Sequence, residues 1–155
     1  MIRQAEIQEA EILTEISFNS KGYWNYPKEF YEIWSKELII SSDYIQNNDV
    51  LVFENAGKII GYYSIVELKD DIEISGIIIS KGFWLEHVFI ESHSIGQGIG
   101  TKMFDHLRER CSSHGLCELG ILADSNSEDS MRKLAVNINL NIHQLSRIVQ
   151  PLIFN

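Results

Sequence analysis

The chain has 155 residues, of which 45% are hydrophobic and 23% charged, with two prolines; this fits one domain around one core and excludes the composition of a disordered protein. Thirteen basic residues against 22 acidic ones give a formal charge of −9, which repels a phosphate backbone and excludes nucleic acid as a natural partner, while suiting a cationic partner such as an amine or simply keeping the chain soluble. No stretch reaches the ~18 apolar residues of a membrane span, and Met1-Ile2-Arg3-Gln4-Ala5-Glu6 is not a basic head before an apolar run, so neither membrane insertion nor targeting is expected.

Ile2 to Ala5 reads as a short first strand, and Ile12, Leu13 and Ile16 share one face of a helix that ends near Asn19 to Gly22. Pro27 stands where a helix favours proline, and Phe30, Tyr31, Ile33, Trp34 and Leu38 form the apolar stripe of a second helix. From Asp49 the period changes. Val50 to Glu54, a turn at Asn55-Ala56-Gly57 and Lys58 to Leu68 read as a hairpin; Lys69-Asp70-Asp71 makes the next turn, Ile72 to Ile79 another strand, and Phe83 to Ile90 the fourth of a meander. Gly98 to His114 then carries Ile99, Met103, Leu107 and Cys111 at helical spacing. Leu116 to Ala123 reads as a buried strand, Ser127 to Leu134 as a short helix, and Ile138 to Phe154 as one or two further strands. No repeat or linker interrupts the pattern, so residues 1–155 are expected to form a single domain.

The most informative stretch is the apolar strand that runs into Gly96-Gln97-Gly98-Ile99-Gly100-Thr101 and directly on into a helix. Glycine permits positive φ and close approach of a ligand to the main chain, and a helix start offers unpaired N–H groups and a positive dipole end. Together they describe an anion cradle suited to a pyrophosphate. A dinucleotide fingerprint needs glycine at Thr101, and a nucleoside-triphosphate loop needs glycine at Ile95 with Lys-Ser/Thr after Gly100; neither is present. An isolated G-x-G-x-G is as consistent with a flexible loop as with a binding site, so its context decides.

That context is Trp84-Leu85-Glu86-His87-Val88-Phe89-Ile90, four residues, then Ile95-Gly96-Gln97-Gly98-Ile99-Gly100-Thr101-Lys102-Met103. It resembles the acetyl-CoA motif of the GNAT superfamily of N-acetyltransferases, and the order of elements matches over nearly the whole chain. The resemblance implies an α/β (mixed α+β) fold with a central twisted, mostly antiparallel sheet and helices on both faces. It implies acetyl-CoA as the donor and an N-acetyltransferase acting on a primary amine of a small molecule or peptide; direct transfer in a ternary complex is expected because no cysteine or serine sits in a recognisable nucleophile setting.

By the same resemblance, Gly98 and Gly100 fall on the glycines of the family pattern Arg/Gln-x-x-Gly-x-Gly/Ala, while Ile95 replaces its Arg/Gln. The amides of Gly96 to Thr101, Gln97 and Ile99 included, would hold the pyrophosphate, and the main chain of Val88, Phe89 and Ile90 would pair with the pantetheine arm. Asn126 falls on a family asparagine that contacts the cofactor arm. Met131 and Ala135 stand where the family carries tyrosine and glycine, and methionine cannot protonate a leaving thiolate. That departure sustains an alternative, a non-catalytic acyl-CoA binding or sensing protein with a degenerate site.

The attacking amine needs a base. Glu86, a carboxylate inside an apolar strand, is the first candidate, with an outward-facing or ion-paired carboxylate as the plain alternative; His87 points to the opposite face, so at most one of the two lines a cleft. The connection Ser20 to Tyr26 resembles one uncharacterised branch of the superfamily. The resemblance places its Tyr23, Trp24 and Tyr26 near the acceptor, where aromatic rings would suit a cation or an apolar amine.

No metal is expected. Asp124-Ser125-Asn126-Ser127-Glu128 opens like a calcium loop, but Asp129 and Ala135 occupy its required glycine and glutamate positions, and the five histidines lack zinc spacing. Cys111 and Cys117 have no Cys-x-x-Cys partner and read as packing thiols of a protein in a reducing cytoplasm. A homodimer is the default assembly.

Overall fold

The computed structural model describes residues 1–23, 28–74, 77–121 and 141–144. In chain order the elements are β1 (Ile2–Gln4), a 3-10 turn (Ile7–Glu9), α1 (Ala10–Gly22), α2 (Lys28–Leu38), α3 (Ser42–Asn47), β2 (Asp49–Asn55), β3 (Lys58–Leu68), β4 (Ile72–Ile74), β5 (Ile77–Ile79), β6 (Gly82–Ile90), a second 3-10 turn (Ser92–Ser94), α4 (Ile99–Ser113), β7 (Glu118–Ile121) and β8 (Asn141–Gln144). Helices combine with antiparallel and parallel strand pairs, the mixed α/β class that the sequence implies. The chain divides into two compact units, Met1–Ser64 with His87–Met103 and Ile65–Glu86 with Phe104–Asn155.

In the first unit the strand order is β1-β2-β3-β6. β1 lies antiparallel to β2, with Ile2, Arg3 and Gln4 opposite Phe53, Val52 and Leu51. Ala56 and Gly57, both with positive φ (49° and 78°), make the two-residue turn between β2 and β3. Such a turn matches the twist of the paired strands, which is why the hairpin is legible from Asn55-Ala56-Gly57. Val50 and Val52 join Leu13, Ile16, Ile40, Ile45, Ile59 and Tyr62 in one core cluster. The alternate residues Leu51 and Phe53 are buried as well, which accounts for the continuous apolar run of β2, since a strand covered on both faces has no polar side.

The buried stripe of α1 is Leu13, Ile16, Ser17, Ser20 and Lys21, at the i, i+3, i+4, i+7, i+8 spacing of one helical face. Ile12, one step of ~100° off that face, is instead 44% exposed. α3 was not expected from the sequence. Its signal is short: Ser41 caps it by accepting a bond from the Tyr44 amide at 3.0 Å, and Ile45 supplies its buried side chain.

In the second unit the strand order is β3-β6-β7-β8. The expected four-strand meander is corrected here. Ile72 to Ile79 is not one strand of the sheet; β4 and β5 pair with each other, Ile72 opposite Ile79, as a separate two-stranded sheet, and β6 takes the place beside β3. The sequence reads Ser75-Gly76 between them, turn chemistry inside a run of isoleucines. β6 and β7 are parallel, Trp84 opposite Gly120 and Leu85 opposite Ile121, and β8 continues parallel to β7. Along α4, Ile99, Met103, Leu107 and Cys111 are all buried, as their spacing requires, and Phe104 joins them. Cys117 departs from expectation, since it is exposed and not packed. The expected helix at Ser127 to Leu134 and most of the tail lie outside the described residues.

Candidate functional site

After Ile90 the chain leaves β6, makes the 3-10 turn Ser92–Ser94 and reaches α4 through residues 95–98. Gly96 and Gly98 carry φ of 84° and 78°, a region that costs a residue with a Cβ about 1–2 kcal/mol. A Cβ at either position would meet nothing within 4 Å. Backbone conformation demands these two glycines, and the space on their Cβ side is open. Gly100 differs: it is the second residue of α4, so its backbone is helical and only two of the three glycines answer a left-handed requirement.

α4 begins at Ile99, and the amides of the first turn of a helix have no intrahelical acceptor. The Lys102 amide already bonds to the Gly98 carbonyl at 3.2 Å, leaving Ile99, Gly100 and Thr101 to point their N–H groups forward. In a chain of charge −9 this first turn carries no acidic residue, so nothing there opposes the dipole that favours an anion. Ile99 contributes only its amide, because its side chain is 6% exposed and belongs to the core. The Gln97 side chain donates to the His93 carbonyl at 2.9 Å and braces the loop on itself. Ile95 is half-buried and brings no polar group.

On β6, Glu86 and His87 are both half-buried and, as strand alternation requires, lie on opposite faces. His87 sits within an aromatic group. Its ring stacks on Phe89 at 5.5 Å and 28°, and lies 5.8 Å from Tyr44 and 6.2 Å from Tyr62. Tyr44 shares a 2.8 Å bond with Ser64, and Tyr62 a 2.5 Å bond with Ser17. The Lys21 ammonium lies 5.9 Å from the Phe89 ring centre, so the last turn of α1 packs on the face of β6 that carries His87.

The sequence assigns no role to Lys21, which it places in the Ser20 to Tyr26 connection, to Ser17, or to Asn19, which it places at the end of the first helix. For the first two a signal existed, because the Leu13 and Ile16 stripe continues by helical spacing through Ser17 and Ser20 to Lys21. Tyr23, the next residue after α1, is 53% exposed; Trp24, Tyr26 and Asn126, and Met131 and Ala135 with them, lie outside the described residues. Among the described residues no group of three or more metal-ligating side chains occurs, and no helix is long and apolar enough to cross a membrane.

A strand leading through two left-handed glycines into an acid-free helix start is, in an α/β setting, an arrangement suited to an anion held by main-chain amides. Residues 17–135 match the model of the acetyltransferase (GNAT) family, and the chain belongs to that family. Among solved structures it is similar to a PaiA N-acetyltransferase from Thermoplasma acidophilum in complex with coenzyme A, with 17% identity, 88% of this chain and 87% of that chain covered, and a TM-score of 0.67. A GCN5-related N-acetyltransferase from Rhodopseudomonas palustris shares 16% identity over 86% and 78% of the two chains, with a TM-score of 0.66. A GNAT family acetyltransferase from Brucella melitensis in complex with acetyl-CoA shares 19% identity over 84% and 80%, with a TM-score of 0.57. No curated protein matches the chain significantly.

Proposed function

We propose that this protein is a cytoplasmic N-acetyltransferase that moves the acetyl group of acetyl-CoA directly to a primary amine of a small molecule or peptide. The observation that carries the reading is the pair of left-handed glycines, Gly96 and Gly98, open on their Cβ side and placed immediately before the acid-free first turn of α4. Amides from Gly96 to Thr101 hold the pyrophosphate of the donor, with no help from a side chain at Ile95. The main chain of Val88 to Ile90 lies along its pantetheine arm.

Acetyl-CoA supplies an acyl group activated as a thioester. The protein's own residues must bind the amine, remove its proton and keep it near β6. His87 is favoured for the proton over Glu86, because Lys21 over Phe89 brings the end of α1, two residues before Tyr23, to the face that carries His87. Tyr23, with Trp24 and Tyr26 after it, borders the acceptor in this reading, and Asn126 contacts the donor.

The test is release of free thiol from acetyl-CoA across a broad panel of amines, with calorimetry of coenzyme A binding beside it. Turnover of an amine together with binding supports the enzyme. Binding with no turnover of any amine favours the acyl-CoA sensor, and absence of binding rejects both.

A further inference from the structure

The Asn19 side chain reaches from α1 to the start of the 3-10 turn that follows β6, where its Oδ1 accepts the Ser92 amide at 2.8 Å across 73 positions of sequence. We infer that Asn19 is a positioning residue for the coenzyme A loop: it fixes Ser92, and through Ser92 the height and direction of the two glycines that receive the pyrophosphate. The inference rests on the donor site proposed above and assigns to it a residue outside the glycine motif.

The amide of Ser92 is the first of a helical turn, a group that no local carbonyl can satisfy. The Glu91 side that precedes it is a turn N-cap without a side-chain hydrogen bond, so the acceptor comes from another element. The residues that follow are tied to one another in sequence. The Ser94 amide bonds to the Glu91 carbonyl at 2.8 Å, the Ile95 amide to the Ser92 carbonyl at 3.4 Å, and the Gln97 side chain to the His93 carbonyl at 2.9 Å. Gly96 lies within this chain of bonds and Gly98 one residue past it, so a shift at Ser92 is passed to both.

On the other side, the Glu91 amide bonds to the Ile60 carbonyl at 2.8 Å, which anchors the turn to β3. Lys58 also pairs with Glu91 at 2.9 Å, but its side chain is 68% exposed, and an exposed pair holds position weakly. The Asn19 bond, also at the exposed surface, differs from that pair in joining the turn to α1 through a main-chain amide. α1 itself is held to the core by Leu13 and Ile16, so the loop inherits the position of a packed helix. A cradle built from main-chain amides depends on such external fixing, because its contacts lengthen together when the backbone moves.

The experiment is calorimetric titration of coenzyme A into the full chain and into Asn19→Ala and Asn19→Asp, with melting temperatures and amide hydrogen exchange of residues 92–98. Asn19→Ala is expected to weaken coenzyme A binding about tenfold, equivalent to about 1.4 kcal/mol, and to speed exchange at Ser92 and through the loop. Asn19→Asp keeps an acceptor oxygen at the same place and should recover most of the affinity. Unchanged affinity in a folded Asn19→Ala protein overturns the inference, as does a lowered melting temperature with full affinity, which is what a merely structural role would give. An equal loss in Asn19→Ala and Asn19→Asp overturns it too. If the unaltered protein fails to bind coenzyme A, the proposed function fails first, and that outcome is read before any variant is compared.

Discussion

Tyr62 gives its phenolic proton to Ser17 Oγ at 2.5 Å, because the single proton of Ser17 is already donated to the Leu13 carbonyl at 2.8 Å. Both side chains are fully buried, and the bond ties α1 to β3 beneath the ring of His87. Buried hydrogen bonds of this kind contribute about 1 kcal/mol net. Tyr62→Phe and Ser17→Ala should each lower unfolding free energy by about that amount, and the double variant should lose less than the sum. Strict additivity in denaturant titrations would show that the two side chains act independently.

Gly98→Val should abolish coenzyme A binding, since its side chain would enter the open space before the loop. The backbone strain must be separated from the steric block. Gly115 supplies the control: its φ is 67°, it also has nothing within 4 Å of a built Cβ, and it lies at the other end of α4. Gly115→Val is expected to lose similar stability, about 1–2 kcal/mol, with affinity intact. Equal affinity in both variants would remove the loop from the donor site.

Gly120→Ala should destabilise the second unit for a different reason. The indole of Trp84 lies where the Cβ would stand, and it cannot swing aside freely, because Nε1 donates to the Ser80 carbonyl at 2.9 Å and the side chain is 3% exposed. Overpacking of this kind costs about 1–3 kcal/mol. In a Trp84→Leu background the penalty of Gly120→Ala should shrink, and an unchanged penalty would place the strain elsewhere.

Arg3 holds β1, the first 3-10 turn and β2 together, reaching Glu9 and Glu54 at 2.7 Å each. Its hydrogen bond lowers the Glu9 carboxyl below the usual carboxylate range. A depressed carboxyl contributes stability that is present above its unfolded value, near 4.5, and is lost as pH falls through the lower folded value. Arg3→Ala should therefore cost about 1 kcal/mol at neutral pH, with the difference from the unaltered chain closing as pH drops below about 4. A gap that stays constant down to pH 2 would assign the effect to packing of the Arg3 stem.

What was legible in the sequence was what short-range physics fixes. Ile99, Met103, Leu107 and Cys111 give α4 by spacing alone, and Asn55-Ala56-Gly57 gives the first hairpin. The glycine loop stood out because positive φ selects glycine. Ile72 to Ile79 misled, since an isoleucine run is equally suited to one strand or to two paired across Ser75-Gly76. The Asn19 to Ser92 bond and the stacking of His87 on Phe89 beside Tyr44 and Tyr62 depend on packing across distant positions, and no local period announces them.

The base for the incoming amine separates His87 from Glu86. A lysine-like amine has a pKa near ~10.4, so at pH 7 it is ionised by more than three units and its proton must be removed before it can attack. His87 faces the side of β6 on which α1 ends, held between Phe89 and the Tyr44 and Tyr62 rings, whereas Glu86 lies on the opposite face. With an amine substrate in hand, His87→Gln should lower kcat near neutral pH by about 10²-fold or more, with coenzyme A affinity nearly unchanged. Much of the defect should vanish at high pH, where the amine arrives unprotonated. Glu86→Gln should stay within a few-fold of the unaltered enzyme. The reverse pattern, Glu86→Gln impaired at pH 7 and rescued at high pH while His87→Gln is active, would move the base to the other face of the strand. A loss in His87→Gln that is uniform across pH would mean that the ring shapes the site without taking the proton.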